Sequence, residues 1–356
     1  MLLTLLTKII LHIVNHSLFL KEFFVLFLNI TKKVFYLMPK FKIHHITKYT
    51  YELPVRDSAN QILLFPVKDE YQQVTKQELS ITGEPGVDIY KDYYGNEVGS
   101  FMNAEPHLEL VIDTKTEVIT KTRPLPADDM PVDAQWNELQ KIRTQFPYID
   151  FLKHEKFNAF DEVSQIVQSP ERKLHTPFHA AKQLNEFIYK NFKYNKGVTN
   201  VETTLDEIWK LKAGVCQDFA HLLLALLRII NIPARYVSGY ICPHKNGMRG
   251  EGATHAWVEG YIPFYGWLGF DPTNNCVVDG VHVRLAVGRS FNDCSPVKGT
   301  YKGTSSHALE VGVSVAYEDG ETIDEAPAIL MPQPRKNNGA QENSYRKYLE
   351  MIQQQQ

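Results

Sequence analysis

The stretch Cys216-Gln-Asp-Phe-Ala-His-Leu-Leu-Leu-Ala-Leu-Leu-Arg-Ile-Ile230 constrains the fold more than any other part of this chain. Wound as a helix, it is apolar around most of its circumference, and such a helix must be covered on most sides. Asn231-Ile232-Pro233 ends it. Pro233 has no amide hydrogen for the next turn, and it pushes Ile232 out of helical geometry. The chain must therefore build a domain around one buried helix.

Length and composition narrow what surrounds that helix. The chain has 356 residues, which corresponds to roughly two domains at about 150 residues each. Lys and Arg total 38 and Asp and Glu 41, so 38 − 41 gives a net charge of −3. A nucleic-acid partner is not expected, because such proteins carry a basic excess on one stretch or face. Hydrophobic residues at 44% and charged residues at 22% are globular values that argue against wholesale disorder. The cysteines at 216, 242, 276 and 294 are too few for a disulfide scaffold and contain no CxxC pair. Neither a zinc ribbon nor a redox motif is indicated, and no metal or other cofactor is expected. Reduced thiols fit a cytoplasmic location.

Met1 to Leu37 stands apart, with no Gly, Ala, Asp, Arg or Pro. Its longest uncharged run, Ile9 to Leu20, is 12 residues, short of the ~18–20 that a membrane span needs. It lacks a signal-peptide cleavage site, and Lys21-Glu22 interrupts its apolar part. The segment reads as an extension outside the fold: a stretch upstream of a start at Met38, an amphipathic or membrane-anchoring segment, or a signal. From 38 to 121 short β-branched stretches with turn signals, such as Tyr94-Gly95-Asn96-Glu97, predict a small antiparallel β-sandwich. Three prolines in Arg123-Pro-Leu-Pro-Ala-Asp-Asp-Met-Pro131 mark the start of a connection, 122–175. A helix is expected over Phe178–Phe192, with Thr176 as N-cap and Pro177 at its first position. Strand patterns return after Ile229, so 176–318 is expected to be the second domain. The polar stretch 319–356 reads as a disordered tail.

Chemistry concentrates between Gly214 and Asp271. Cys216 opens the buried helix, where unpaired amide hydrogens and the positive dipole end stabilise a thiolate. That is a fitting place for a nucleophile, although a buried cysteine can equally be a small core residue. Thr254-His-Ala-Trp-Val-Glu259 and Gly266-Trp-Leu-Gly-Phe-Asp-Pro-Thr273 read as two strands. A turn at Ile262-Pro263-Phe264 would pair residues whose numbers sum to 526, setting His255 directly opposite Asp271 on one face of the sheet. A carboxylate there would fix the imidazole tautomer and stabilise its protonated form. Gln217 and Asp218 fall in the first helical turn, where capping is the simpler role. His221 lies one turn further on, facing either the cleft or the packing. The remaining cysteines read as structural, and no calcium-binding loop pattern is present.

Gly214-Val-Cys-Gln-Asp-Phe-Ala-His221, Ile232-Pro-Ala-Arg-Tyr-Val-Ser-Gly-Tyr240, Thr254-His-Ala-Trp257 and Gly266-Trp-Leu-Gly-Phe-Asp-Pro-Thr-Asn274 resemble the bacterial transglutaminase-like proteins. His45-Ile-Thr-Lys-Tyr-Thr-Tyr51 and Asp92-Tyr-Tyr-Gly-Asn96 resemble the β domain that precedes the core in that group. The resemblance implies an α+β fold: a papain-like core with the cysteine on a buried helix and His and Asp on an antiparallel sheet. It implies Cys216 as nucleophile, His255 as base and Asp271 as orienting acid, acting on a peptide or protein amide. The acyl group would then go to water, as in a peptidase, or to an amine, as in a transglutaminase; a non-catalytic binding module is the remaining class. The Cys216 amide would supply one oxyanion donor. Tyr194 and Trp209 are the aromatic candidates for the second, with Gln217 and Trp257 as further cleft residues. Ser290 and Phe291 depart from the family's Gly-Arg-Asp-Tyr stretch.

Overall fold

The computed structural model describes residues 38–155, 157–168, 174–200, 203–242, 248–250, 254–318 and 328–330. The extension 1–37 and nearly all of the tail fall outside them. The N-terminal part comprises β1 (Lys40–Ile62), β2 (Gln72–Ile81), β3 (Asp88–Lys91), β4 (Glu97–Asn103) and β5 (His107–Thr120). Helices α1 (Val132–Ile142), α2 (Tyr148–Leu152), α3 (Phe160–Val167) and α4 (Pro177–Asn191) follow. Next come β6 (Lys193–Tyr194), α5 (Leu205–Leu211), β7 (Ala213–Gly214) and α6 (Cys216–Ile229). The chain continues through β8 (Ala234–Ile241), β9 (Thr254–Ile262), β10 (Gly266–Asp271), β11 (Cys276–Val277) and β12 (His282–Gly288). It closes with α7 (Phe291–Cys294), β13 (Val297–Lys302), β14 (His307–Tyr317) and β15 (Ala328–Leu330).

The long strand β1 organises the β domain. Phe41, Ile43, His45, Thr47 and Tyr49 alternate inward with exposed or half-exposed neighbours, as a strand with one covered face requires. Its first half pairs with β5 and β14, and its second half with β4 and β13. Register shifts between Thr50 and Val55 and between Arg56 and Ala59 bend it from one set of partners to the other. The product is a curled eight-stranded β domain whose two sets of strands are joined through β1. The partners also correct a boundary. β13 and β14 lie within 176–318, the range expected to form the core, yet they belong to the N-terminal sheet. Pairing across more than 200 residues leaves no local mark in a sequence, because strand patterning records only which face is buried.

The core sheet is antiparallel, in the order β11-β10-β9-β8-β12. Helix α6 packs on it, with Phe219, Leu223, Leu226 and Leu227 joining Ala256, Val258 and Phe270 in one apolar cluster. Each fully buried Leu or Phe there contributes about 1.5–3 kcal/mol. Helix α4 begins as expected, with Thr176 Oγ1 accepting the His179 amide at 3.3 Å and Pro177 following it. Two side-chain amides of the β domain cover β12, the edge strand of the core sheet. Gln72 donates to the Arg284 carbonyl and accepts its amide, both at 2.8 Å. Asn96 does the same to Val287, again at 2.8 Å each way. Each side chain imitates a strand residue; Asn96 satisfies both Val287 groups, and Gln72 the Arg284 amide, while the Arg284 carbonyl also accepts the Val67 amide at 3.0 Å.

Candidate active site

The loop before α6 fixes where Cys216 sits. Asp218 accepts the Val215 amide at 2.8 Å and the Thr199 hydroxyl at 2.6 Å, so the carboxylate caps its own helix. A Cβ on Gly214 would lie 2.4 Å from Asp218 Oδ2, and only glycine leaves room for this cap. The capping role expected for Asp218 is therefore observed, and it fixes Cys216 as the first residue of α6.

His255 and Asp271 meet in a register one step away from the expected one. β9 and β10 pair Gly266 with Ile262 and Phe270 with Val258, a sum of 528 instead of 526. The turn is Pro263-Phe264-Tyr265, made possible by positive φ at Phe264 (63°) and Gly266 (104°). A change of two in the sum leaves every side chain on its face, so His255 and Asp271 still share one. They lie diagonally, and their side chains span the gap: His255 Nε2 donates to Asp271 Oδ2 at 2.9 Å. Nδ1 is then the ring nitrogen left for Cys216, whose sulfur interacts with this imidazole.

The site is buried, with both side chains of the His–Asp pair fully covered and Cys216 at 1% exposure. Burial works against a charged imidazole, but the charge of Asp271 and the contact with Cys216 outweigh it and push His255 up to about 9. Burial likewise works against a charged Asp271. The charge and hydrogen bond of His255, with a further bond from His282, hold its carboxyl far below the usual range. Asp271 also accepts the Asn274 side chain at 2.8 Å, the Thr273 amide at 2.9 Å and the Asn274 amide at 3.2 Å. Asn274 reaches the other way too, accepting the Arg249 amide at 2.8 Å and donating to the Arg249 carbonyl at 3.2 Å.

His282 Nε2 lies 3.3 Å from Asp271 Oδ2. With His255 and Asp271 it forms the one group of potential metal-donor atoms found among the described residues, all within 4.8 Å. Within this group both imidazoles also hydrogen-bond the Asp271 carboxylate. Sequence reasoning missed Asn274 and His282. Asn274 had a signal, since an Asx-type turn after Asp-Pro is a recognisable pattern. His282 had none, because β11 and a turn separate it from Asp271.

Residues 164–272 match the transglutaminase-like superfamily, and residues 41–119 match the bacterial transglutaminase-like N-terminal region. An uncharacterized protein of Mycobacterium leprae is 30% identical over 282 residues, covering 78% of this chain and 99% of its own length. The chain belongs to the transglutaminase-like superfamily. A crystal structure of a candidate cysteine protease from Cytophaga hutchinsonii has the same fold, with a TM-score of 0.60 at 24% identity over 80% of this chain and 92% of that one. A protein-glutamine gamma-glutamyltransferase of Pseudomonas aeruginosa is 33% identical over 97 residues, which is 25% of this chain and 14% of that protein.

The other candidates separate clearly in this transglutaminase-like frame. Tyr194, on β6 beside Gly214, is close enough to Cys216, Arg249 and Asp271 to feel their charges; burial first, then Cys216, raises its phenol. Gln217 is buried next to Cys216 with its Oε1 unpartnered. Trp209 is not placed to serve as an oxyanion donor. Its indole N–H is spent on Glu162 at 3.1 Å, and its ring stacks among Phe187, Phe192 and the Lys212 ammonium. Trp257 is fully buried and packs with Val237 and Val287, as a core residue does. His221 accepts the Phe291 amide at 3.2 Å, and burial pushes it down to about 4, so it belongs to the packing. Phe291 thus has a place in the core despite its departure from the family stretch. Cys242 and Cys294 are buried thiols raised by desolvation.

Proposed function

We propose that this chain carries out thiol-dependent acyl chemistry on amide bonds, as a cysteine peptidase or amidase. The arrangement of Cys216 at a helix start beside an imidazole held by a buried carboxylate carries this reading. The Cys216 sulfur attacks the amide carbonyl while the Cys216 backbone amide, with Tyr194 or Gln217 as second donor, receives the developing oxyanion. His255 passes its proton to the departing amine, and Asp271 keeps the imidazole oriented and stabilises its charge. Water then bonds to the acyl carbon, gives its proton to His255, and the carbon–sulfur bond breaks with its electron pair returning to Cys216. The stretch shared with the gamma-glutamyltransferase supports a second reading, in which a primary amine replaces water.

The test uses the native chain and Cys216→Ala with glutamine-containing peptides, with and without a fluorescent primary amine. Hydrolysed peptide that depends on Cys216 is expected. Product formed only as the amine adduct would replace the first reading with the second. Equal labelling of both proteins by an electrophilic thiol probe would overturn both.

A further inference from the structure

The buried carboxylate of the proposed triad serves two histidines, and only one of them has a task so far. We infer that His282 and the exposed Asp279 form a second acid–base pair behind Asp271, whose positive charge divides the carboxylate's hold and limits how tightly His255 keeps its proton. This deepens the proposed function and rests on it.

The geometry is specific. His255 and His282 both direct Nε2 to the same oxygen, Asp271 Oδ2, at 2.9 and 3.3 Å. The other nitrogen of His282, Nδ1, lies 3.4 Å from Asp279 Oδ1, within ion-pair reach but without hydrogen-bond geometry. A ring with a carboxylate near each nitrogen is favoured in its charged, imidazolium form. The His282 side chain is completely covered, whereas Asp279 is 52% exposed, so the pair links the interior carboxylate to solvent. Every neighbouring element contributes to its surroundings. Asp271 lies on β10, His255 on β9 with ring centres 6.3 Å away, and Cys276 on β11 is near enough to interact with it. The Trp257 ring meets it edge-on at 5.3 Å. Tyr71, Lys121, Arg123, Glu259 and Arg284 line a small cavity on its remaining side. Burial opposes the charged ring, but the interactions with Asp271, Asp279 and Cys276 outweigh it and raise His282 well above an ordinary histidine.

The division of Asp271 matters in the second half of the reaction. The first half needs a protonated His255 to supply the leaving amine. The second needs a neutral His255 to accept the proton of the attacking water. A histidine held too firmly by an undivided carboxylate would complete the first half and stall in the second. A neighbouring cation corrects this by lowering the cost of discharging His255.

The test is a histidine side-chain NMR titration of the full chain, with resonances assigned by single substitutions. In His282→Gln the amide can still donate to Asp271, but the charge is gone. The His255 titration is then expected to move up by about one to two pH units, the size of a unit charge at this separation under an effective dielectric constant near 20. A His255 titration that stays where it is in the native protein overturns the inference. Asp279→Asn alters an exposed side chain and covers the case in which His282→Gln does not fold. It should move the His282 titration down by about one unit or more; an unmoved titration overturns the inference equally. Neither readout needs turnover. A native protein whose Cys216 fails to react with a thiol probe would count against the proposed function and leave the titration result standing.

Discussion

At the scale of single residues, each catalytic candidate owes its state to neighbours that a sequence shows unequally. Cys216 was legible because the helix start can be read from Gly214, Val215 and the capping Asp218, all within four residues. His255 and Asp271 were legible as types in a pattern, whereas their geometry depends on a register that the sequence left open. If they act as one unit, their losses will not multiply. In single-turnover acylation of Cys216 by an activated ester, His255→Ala is expected to abolish reaction. Asp271→Asn should cost roughly 10²–10³, less than the ~10⁴ of a serine triad, since a thiolate needs its base less than a hydroxyl does. The double variant should be no slower than His255→Ala alone. Losses that multiply fully, in variants whose thermal melts match the native one, would break the unit apart.

At the scale of elements, the two strands bearing His255 and Asp271 survived a misplaced turn because of parity. The left-handed Phe264 and Gly266 move the turn by one residue, which shifts the pairing sum by two, and strand faces repeat every two residues. A shift of one would have separated the pair. The covering of β12 is an element-level device of a kind sequence patterns do not mark, since Gln72 and Asn96 resemble any surface amide. Asn96→Ala would leave the Val287 amide and carbonyl buried with no partner. Each orphaned group costs about 1–3 kcal/mol, so a loss of roughly 2–6 kcal/mol is expected in denaturant melts. A loss below about 0.5 kcal/mol, the range of ordinary surface substitutions, would show that water replaces the amide without cost.

At the scale of the whole molecule, histidines bind the two parts of the fold and set its response to acid. His45 of β1 meets the Tyr240 hydroxyl of β8 at 2.8 Å and is fully buried. Burial first, and then His44, lowers it to about 4; His221 is lowered to about 4 by burial and Arg228. Unfolding returns each ring to about 6.5, so the unfolded chain binds more protons below that pH. Their contribution is therefore complete above about pH 6.5 and is lost as pH falls toward 4. Thermal melts between pH 7 and 4.5 should show a falling Tm, with a shallower fall in His45→Gln; equal slopes would remove His45 as a cause. The β-domain pattern beginning near Phe41 was readable from alternation, but its completion by β13 and β14 was not, because those partners arrive from the far end of the chain. The paired amides on β12 carry one more consequence. A strand edge with open amides and carbonyls is a template on which a second chain can add its own strand. Gln72 and Asn96 occupy that template from within. In the folded chain the edge therefore presents a second copy with no open amide and carbonyl at Arg284 and Val287.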